Sequence, residues 1–186
     1  MRRAMTAVTI LLATAVPIGA QSSRQAFDWS AAAVIGGGTT WDDEGQIGDG
    51  VLAGGRLDGR ITGQTFWDVS VDYLRHHRTG GFNADGHTTL VTGTVVQRFG
   101  NARAQPYALG GITVARHSGT YGFLPDTKVG LAESTDLGFV FGGGLAVRVG
   151  RQLEIGPEAR FYILNADVDS SPAFASWLGG RIGVRF

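Results

Sequence analysis

Residues 65–75 alternate: Trp67, Val69, Val71 and Tyr73 fall on one parity, Asp68, Ser70 and Asp72 on the other. Side chains of an extended chain point to opposite faces in turn, so this stretch has one apolar face and one charged face. The pattern recurs along the chain. Val51, Ala53, Leu57 and Ile61 oppose Arg56, Asp58 and Arg60. Leu137, Phe139, Phe141, Leu145, Val147 and Val149 oppose small residues and Arg148. Leu153, Ile155, Ala159, Phe161 and Ile163 oppose Glu154, Glu158, Arg160 and Tyr162. Phe174, Leu178, Ile182, Val184 and Phe186 oppose Trp177, Arg181 and Arg185. Residues 88–99 and 105–116 alternate less cleanly, and the facing of Arg98 and Arg116 stays open.

The periodicity predicts eight strands, over residues 27–37, 50–61, 65–75, 88–99, 105–116, 136–149, 153–163 and 174–186. They are long for a globular protein and suit a tilted crossing of a bilayer, which takes roughly 9–11 residues. Their connections alternate. Segments 62–64, 100–104 and 150–152 are tight, whereas 38–49, 76–87, 117–135 and 165–172 are long and polar. Short turns at one end and long loops at the other are the build of a transmembrane barrel, and an even count puts both termini at the short-turn side.

Apolar faces could point inward, as in a soluble barrel, or outward into lipid. The charge-bearing faces carry Gly and Ala neighbours, such as Gly54 beside Arg56, Gly142, Gly144 and Ala146 beside Arg148, and Gly179 and Gly183 around Arg181. A narrow eight-stranded interior needs such small residues to admit long charged ones. Aromatics stand near the ends of the apolar faces: Phe27, Trp29, Trp67, Tyr73, Phe99, Phe161, Phe174 and Phe186. They suggest girdles at the two membrane interfaces. The fold expected is an all-β, eight-stranded, antiparallel up-and-down transmembrane β-barrel.

Charges enclosed in it need partners. A three-residue loop at 150–152 puts Arg148 opposite Glu154 and Gly144 opposite Glu158, a register that side-chain parity permits. A register with Arg60 opposite Asp68 also sets Arg56 opposite Asp72; a tighter turn makes these contacts diagonal. Six bases (Arg56, Arg60, Arg148, Arg160, Arg181, Arg185) meet six acids (Asp28, Asp58, Asp68, Asp72, Glu154, Glu158). That balance predicts a plugged, ion-paired interior rather than an open pore.

The N-terminal end adds a location. Met1-Arg2-Arg3 precedes an apolar run from Ala7 to Ile18 that is too short to span a bilayer, and Gly19-Ala20 offers a cleavage site. Residues 1–20 read as a secretory signal peptide and 21–186 as one barrel domain. Without cysteine, the exported chain must rely on packing and hydrogen bonds, and it has no lipobox for a lipid anchor. Sixteen basic and sixteen acidic residues, with Lys128 the sole lysine, leave no polybasic footprint for nucleic acid.

Four stretches carry a family resemblance: Pro106-Tyr107-Ala108-Leu109-Gly110-Gly111 after Arg98-Phe99-Gly100; Phe141-Gly142-Gly143-Gly144-Leu145; Glu158-Ala159-Arg160-Phe161-Tyr162; and the terminal Arg181-Ile182-Gly183-Val184-Arg185-Phe186. On these the chain resembles the small eight-stranded outer-membrane β-barrels of OmpA transmembrane-domain and OmpX type, the porin-like barrel-domain family. The terminal strand, with Ile182, Val184 and Phe186 on its apolar face, is the most specific. The resemblance implies a monomer in outer-membrane lipid, inserted by the barrel-assembly machinery that recognises the last strand. It implies no added peptidoglycan-binding domain and no single activity.

Candidate chemistry is sparse. His76, His77, His87 and His117 fall near the loop-side ends of neighbouring strands and could meet at a metal, although rim residues are the plainer reading. His117-Ser118 could suggest a hydrolase, but the pattern supplies no orienting acid. Asp42, Asp43, Glu44 and Asp49 fit no EF-hand spacing, and Gly142-Gly143-Gly144 follows no βαβ unit. No catalytic, metal or cofactor site is expected. The expected function is a structural or surface-interaction barrel with an unidentified partner at its long loops. A small-solute channel and a lipid-modifying enzyme are the alternatives.

Overall fold

The computed structural model describes residues 29–42, 45–78, 83–124, 127–130, 134–165 and 173–186. The expected signal segment (residues 1–20), Phe27 and Asp28 of the first expected strand, and Asp43 and Glu44 of the acidic loop lie outside the described residues. No helix occurs among them. The strands are β1 (Trp29–Asp42), β2 (Gly45–Thr62), β3 (Thr65–Arg78), β4 (Asn83–Arg98), β5 (Ala104–Leu124), β6 (Thr127–Gly130), β7 (Ser134–Val149), β8 (Leu153–Asn165) and β9 (Ala173–Arg185). Eight of them close an all-antiparallel up-and-down barrel, in the order β4-β3-β2-β1-β9-β8-β7-β5 with β5 returning to β4. Among the described residues the short β6 pairs with the far end of β5 alone.

The eight expected barrel strands are all present, and most run further than the alternation indicated. Much of what reads as long polar loop is hairpin. β1 and β2 stay paired to Asp42↔Gly45, and β4 and β5 to Asn83↔Gly122. The hydrophobic pattern stops where the wall leaves the apolar band, but ladder hydrogen bonding continues beyond it, because backbone pairing needs no apolar side chain. β6, within the expected long loop 117–135, has no apolar period to announce it.

At the other end Gly63, Gly100 and Gly150 sit in the turns with φ of 51°, 73° and 71°. That conformation suits glycine because it has no Cβ to clash. The barrel closes between its first and last strands, from Ser30↔Arg185 to Trp41↔Phe174. In the middle of this seam Gly36 faces Gly179, and a Cβ on Gly36 would stand 2.5 Å from the Leu178 carbonyl oxygen. β9 ends one residue short of Phe186, whose amide still donates to the Trp29 carbonyl at 3.0 Å.

The facing of the side chains follows the alternation. Val69, Val71, Ile112, Leu137, Phe139, Leu178 and Ile182 point outward and are exposed. Arg56, Asp58, Asp68, Asp72, Glu154, Glu158, Arg160 and Arg181 are buried within the barrel. The interior also holds apolar side chains. Leu52, Leu74, Leu90, Val140 and Leu164 are almost fully buried and lie nearer the loop end than the described inward-facing charged side chains of their own barrel strands, Asp136 excepted.

Candidate functional site

The lumen is a connected ionic cluster built from inward positions of facing strands. Glu158 on β8 is its hub. Arg56 reaches it across the barrel from β2, Arg160 donates Nε to it at 2.7 Å, and the Tyr107 hydroxyl donates at 2.5 Å. Arg160 also donates to Asp68 at 2.9 Å and to the Ser70 hydroxyl at 3.0 Å, and so bridges β8 to β3. Trp177 donates to the Tyr162 oxygen at 3.2 Å, and Tyr162 donates to Asp72 at 3.4 Å. The Arg56 guanidinium lies over the Trp177 ring.

Nearer the turns, Asp58 and Asp68 stand directly opposite one another. Like charges so placed repel. Each carboxylate has its own cation: Asp58 takes Arg181 and a 2.6 Å bond from Ser30, Asp68 takes Arg160 and a 3.0 Å bond from Thr94. Glu154 is gripped at 2.7 and 3.1 Å by the two terminal nitrogens of Arg98, with Arg181 at 3.4 Å. Bidentate guanidinium–carboxylate pairs of this kind fix geometry as well as charge.

One pairing differs from the sequence expectation, and another takes the diagonal form that a tighter turn implies. Arg148 is opposite Glu154, and Gly144 opposite Glu158, as parity requires. Yet Arg148 donates to Gln105 at 2.7 Å, because Glu154 turns into the lumen toward Arg98 and Arg181. In the β2–β3 hairpin the turn is tighter than the Arg60–Asp68 register needs. Arg60 faces Phe66, Arg56 faces Ser70, and Gly54 faces Asp72. Arg56 and Asp72 are therefore diagonal, as are Arg60 and Asp68, and the Arg60 guanidinium lies over the Phe66 ring. Arg185 is half-buried at the turn end, opposite Ser30. Arg98, left open by the sequence, is a central cation of the lumen. Arg116 points outward.

At the loop-side rim the histidines divide. His117 faces inward, 2.8 Å from the Thr88 hydroxyl and 2.9 Å from Asp136. His87 faces outward, 2.6 Å from the Ser118 hydroxyl and stacked on Tyr73. The two rings lie on opposite sides of the wall and do not converge. No group of three potential metal ligands occurs among the described residues, and the side chains of His76, His77 and Asp42 are not among those described. The Ser–His contact pairs residues of two strands, not the adjacent His117-Ser118 that the sequence suggested.

On the outer face Trp29 and Trp67 meet edge to face at 5.1 Å near the turn end, the end that Phe99 and Phe186 also mark. Phe161 bridges Phe141 and Phe174 higher on the wall, at 5.0 and 6.0 Å. Exposed aromatics along an apolar band suit a lipid interface.

A family model described as "Outer membrane protein beta-barrel domain" matches residues 8–179. No curated protein matches the chain in sequence. Among solved structures the barrel is similar to Neisserial surface protein A, with a TM-score of 0.65 at 13% identity, over 85% of this chain and 97% of that one. It is similar to Ail, the attachment invasion locus protein of Yersinia pestis, in complex with the heparin analogue sucrose octasulfate, with a TM-score of 0.56 at 15% identity over 86% and 98% of the two chains. It is also similar to the outer membrane enzyme PagL, with a TM-score of 0.52 at 19% identity over 83% and 99%. At these identities the likeness is one of fold.

Proposed function

The chain belongs to the outer membrane protein beta-barrel domain family, and from that premise we propose that it is a non-enzymatic structural and surface-interaction barrel of the outer membrane. It presents its loop-end hairpins outside the cell and conducts nothing through its lumen. The observation that carries this reading is the filling of the lumen. Glu158, Arg56, Arg160 and Asp68 occupy its width, and the Leu52–Leu74 pair stands on the loop side of them. An eight-stranded barrel leaves little more room than its own side chains need. Relatives of this fold named as a surface protein and an attachment protein support a role in contact rather than transport. The outward Ile182 and Val184 of β9, with Phe186 just beyond it, are the surface offered to the assembly machinery. The test is single-channel recording in planar bilayers. The refolded protein is expected to give no stable conductance, and reproducible single-channel steps would replace this reading with the channel.

A second reading, an enzyme acting on lipid, is favoured by one contact. Ser118 and His87 are in hydrogen-bond range on the lipid-facing side, and one structure of this fold is an outer membrane enzyme. A Ser–His pair also needs a group to orient the imidazole, and the ring partner described for His87 is Tyr73. Mass spectra of lipid A from cells with and without the gene decide it: unchanged spectra remove the enzyme, and loss of a product that Ser118→Ala also abolishes would establish it.

A further inference from the structure

Asp58 of β2 and Asp68 of β3 are directly opposed, and both carboxyls are almost wholly buried in the lumen. On each, one oxygen is fully engaged. Asp58 Oδ2 accepts from Arg181 at 2.5 Å and from the Ser30 hydroxyl at 2.6 Å. Asp68 Oδ1 accepts from Arg160 at 2.9 Å and from the Thr94 hydroxyl at 3.0 Å. The other two oxygens, Asp58 Oδ1 and Asp68 Oδ2, are buried and meet no donor among the described residues. Yet the two carboxyls lie within hydrogen-bond reach of each other. The pair combines a carboxyl–carboxyl contact with one unfilled acceptor on each side.

Ionised carboxylates only accept, so two of them cannot bond without a hydrogen between them. The charged groups around the pair do not supply it. On β2, Arg56 reaches across to Glu158 and Arg60 lies over Phe66. On β4, Arg98 grips Glu154. Arg160 of β8 and Arg181 of β9 come to the oxygens already engaged, and Arg181 is shared with Glu154. Tyr107 of β5 donates to Glu158, Arg148 of β7 to Gln105, and Arg185 stands at the turn end of β9. Beyond Asp68 on β3, Asp72 takes the Tyr162 hydroxyl. The guanidiniums offset charge through the outer oxygens, and none places an N–H on the two left over. Direct contact leaves no place for a bridging water.

We propose that Asp58 and Asp68 hold a single proton between them, so that the pair carries one negative charge and acts as a pH-sensitive lock on the barrel wall. Two like charges in contact away from water cannot both persist, and one shared proton removes the conflict. The protonated carboxyl donates its O–H to its partner and joins β2 to β3. Ser30, Thr94, Arg160 and Arg181 tie the same pair to β1, β4, β8 and β9. Loss of the proton would set two anions in contact where these strands meet. In the unfolded chain both aspartates are ionised at neutral pH, so the folded barrel binds one proton more. Stability therefore falls as the pH rises and the proton leaves.

The test is infrared spectroscopy of the refolded protein in lipid vesicles at neutral pH, with isotope-labelled aspartate carboxyls. A label-sensitive band of a protonated carboxyl is expected in the wild type. It should vanish in Asp68→Asn and in Asp58→Asn, where the amide supplies the missing donor. Absence of the band from the wild type overturns the proposal whether or not the variants fold, and its persistence in either variant assigns the proton elsewhere and overturns it too. Urea midpoints read the lock. From neutral to alkaline pH the wild type is expected to lose more stability than Asp68→Asn, and an equal loss in the two overturns the lock.

Discussion

Arg148 stands directly across the β7–β8 hairpin from Glu154, yet its guanidinium bonds Gln105 at 2.7 Å while Glu154 is held at 2.7 and 3.1 Å by Arg98 of β4. Opposition in a ladder sets which side chains share a face. It does not choose partners inside a lumen this narrow, where a side chain reaches the far wall as readily as its neighbour. Removing one member of a water-excluded pair leaves the other charge uncompensated, which costs roughly 3–5 kcal/mol. Arg98→Ala should accordingly lower stability by about 3 kcal/mol, softened by the remaining Arg181 contact. Arg148→Ala, which loses a hydrogen bond to a neutral amide, should cost about 1 kcal/mol. Urea midpoints in lipid vesicles separate the two, and equal shifts would contradict the assignment of Glu154 to Arg98.

The hub predicts a coupling. Arg56 and Glu158 lie on opposite sides of the lumen, and both are buried. A double-mutant cycle with Arg56→Met and Glu158→Gln should return an interaction energy of about 1.5–3 kcal/mol, the range for residues in one network. In the Glu158→Gln variant both Arg56 and Arg160 would be left against a neutral amide, so that single change should be the more damaging of the two. An additive cycle would mean that the two groups do not share a contact in the folded barrel.

Much of this interior is legible in the sequence, and the shortfall has a definite source. Parity alone assigns Arg56, Asp58, Asp68, Asp72, Glu154, Glu158, Arg160 and Arg181 to the lumen, because a strand with one lipid face cannot slip by one residue. Arg98 stays open in the sequence because both faces of β4 are apolar near it: Val95 points out and Val96 in. The signal that places it is Phe99, since an aromatic on the outer girdle forces the preceding residue inward. The inward facing of Leu52, Leu74, Leu90 and Leu164 is hidden for a related reason. Charge marks the inner face mainly over the turn-side half of the wall, whereas the described inner face nearer the loops is mostly apolar, His117 and Asp136 apart. Pairings across the lumen are not legible at all, since they depend on barrel closure and not on hairpin register.

The seam between β1 and β9 offers a matched pair of glycines. A Cβ at Gly36 would collide with the backbone of Leu178 and Gly179, whereas Gly180, one residue on and facing outward, has open space. Gly36→Ala should therefore force the two closing strands apart and cost about 1–3 kcal/mol. Gly180→Ala should change stability by less than about 1 kcal/mol, with a small gain expected from the stiffer unfolded chain. Thermal shifts of the heat-modifiable band distinguish them. A tolerant Gly36 would place the seam differently from the Gly36↔Gly179 register.

Phe186 tests the closing strand by rate. Its amide bonds the Trp29 carbonyl at 3.0 Å and its ring lies exposed on the outer face with Ile182 and Val184. Phe186→Ala leaves that backbone bond intact and removes only a lipid-facing aromatic near the turn-side interface, where aromatic rings favour the headgroup level. Equilibrium stability should fall by no more than about 1–2 kcal/mol, the transfer value of one partly exposed ring. Assembly in cells should slow more than that loss explains if the ring is part of the recognised strand. Pulse-chase labelling read as the heat-modifiable band follows assembly, and refolding of the same variant into pure lipid vesicles removes the machinery. Slowing in cells without slowing in vesicles assigns Phe186 to recognition. Equal slowing in both assigns it to insertion into the bilayer, and no slowing in either would show that Ile182, Val184 and the ladder to β1 suffice to close the barrel.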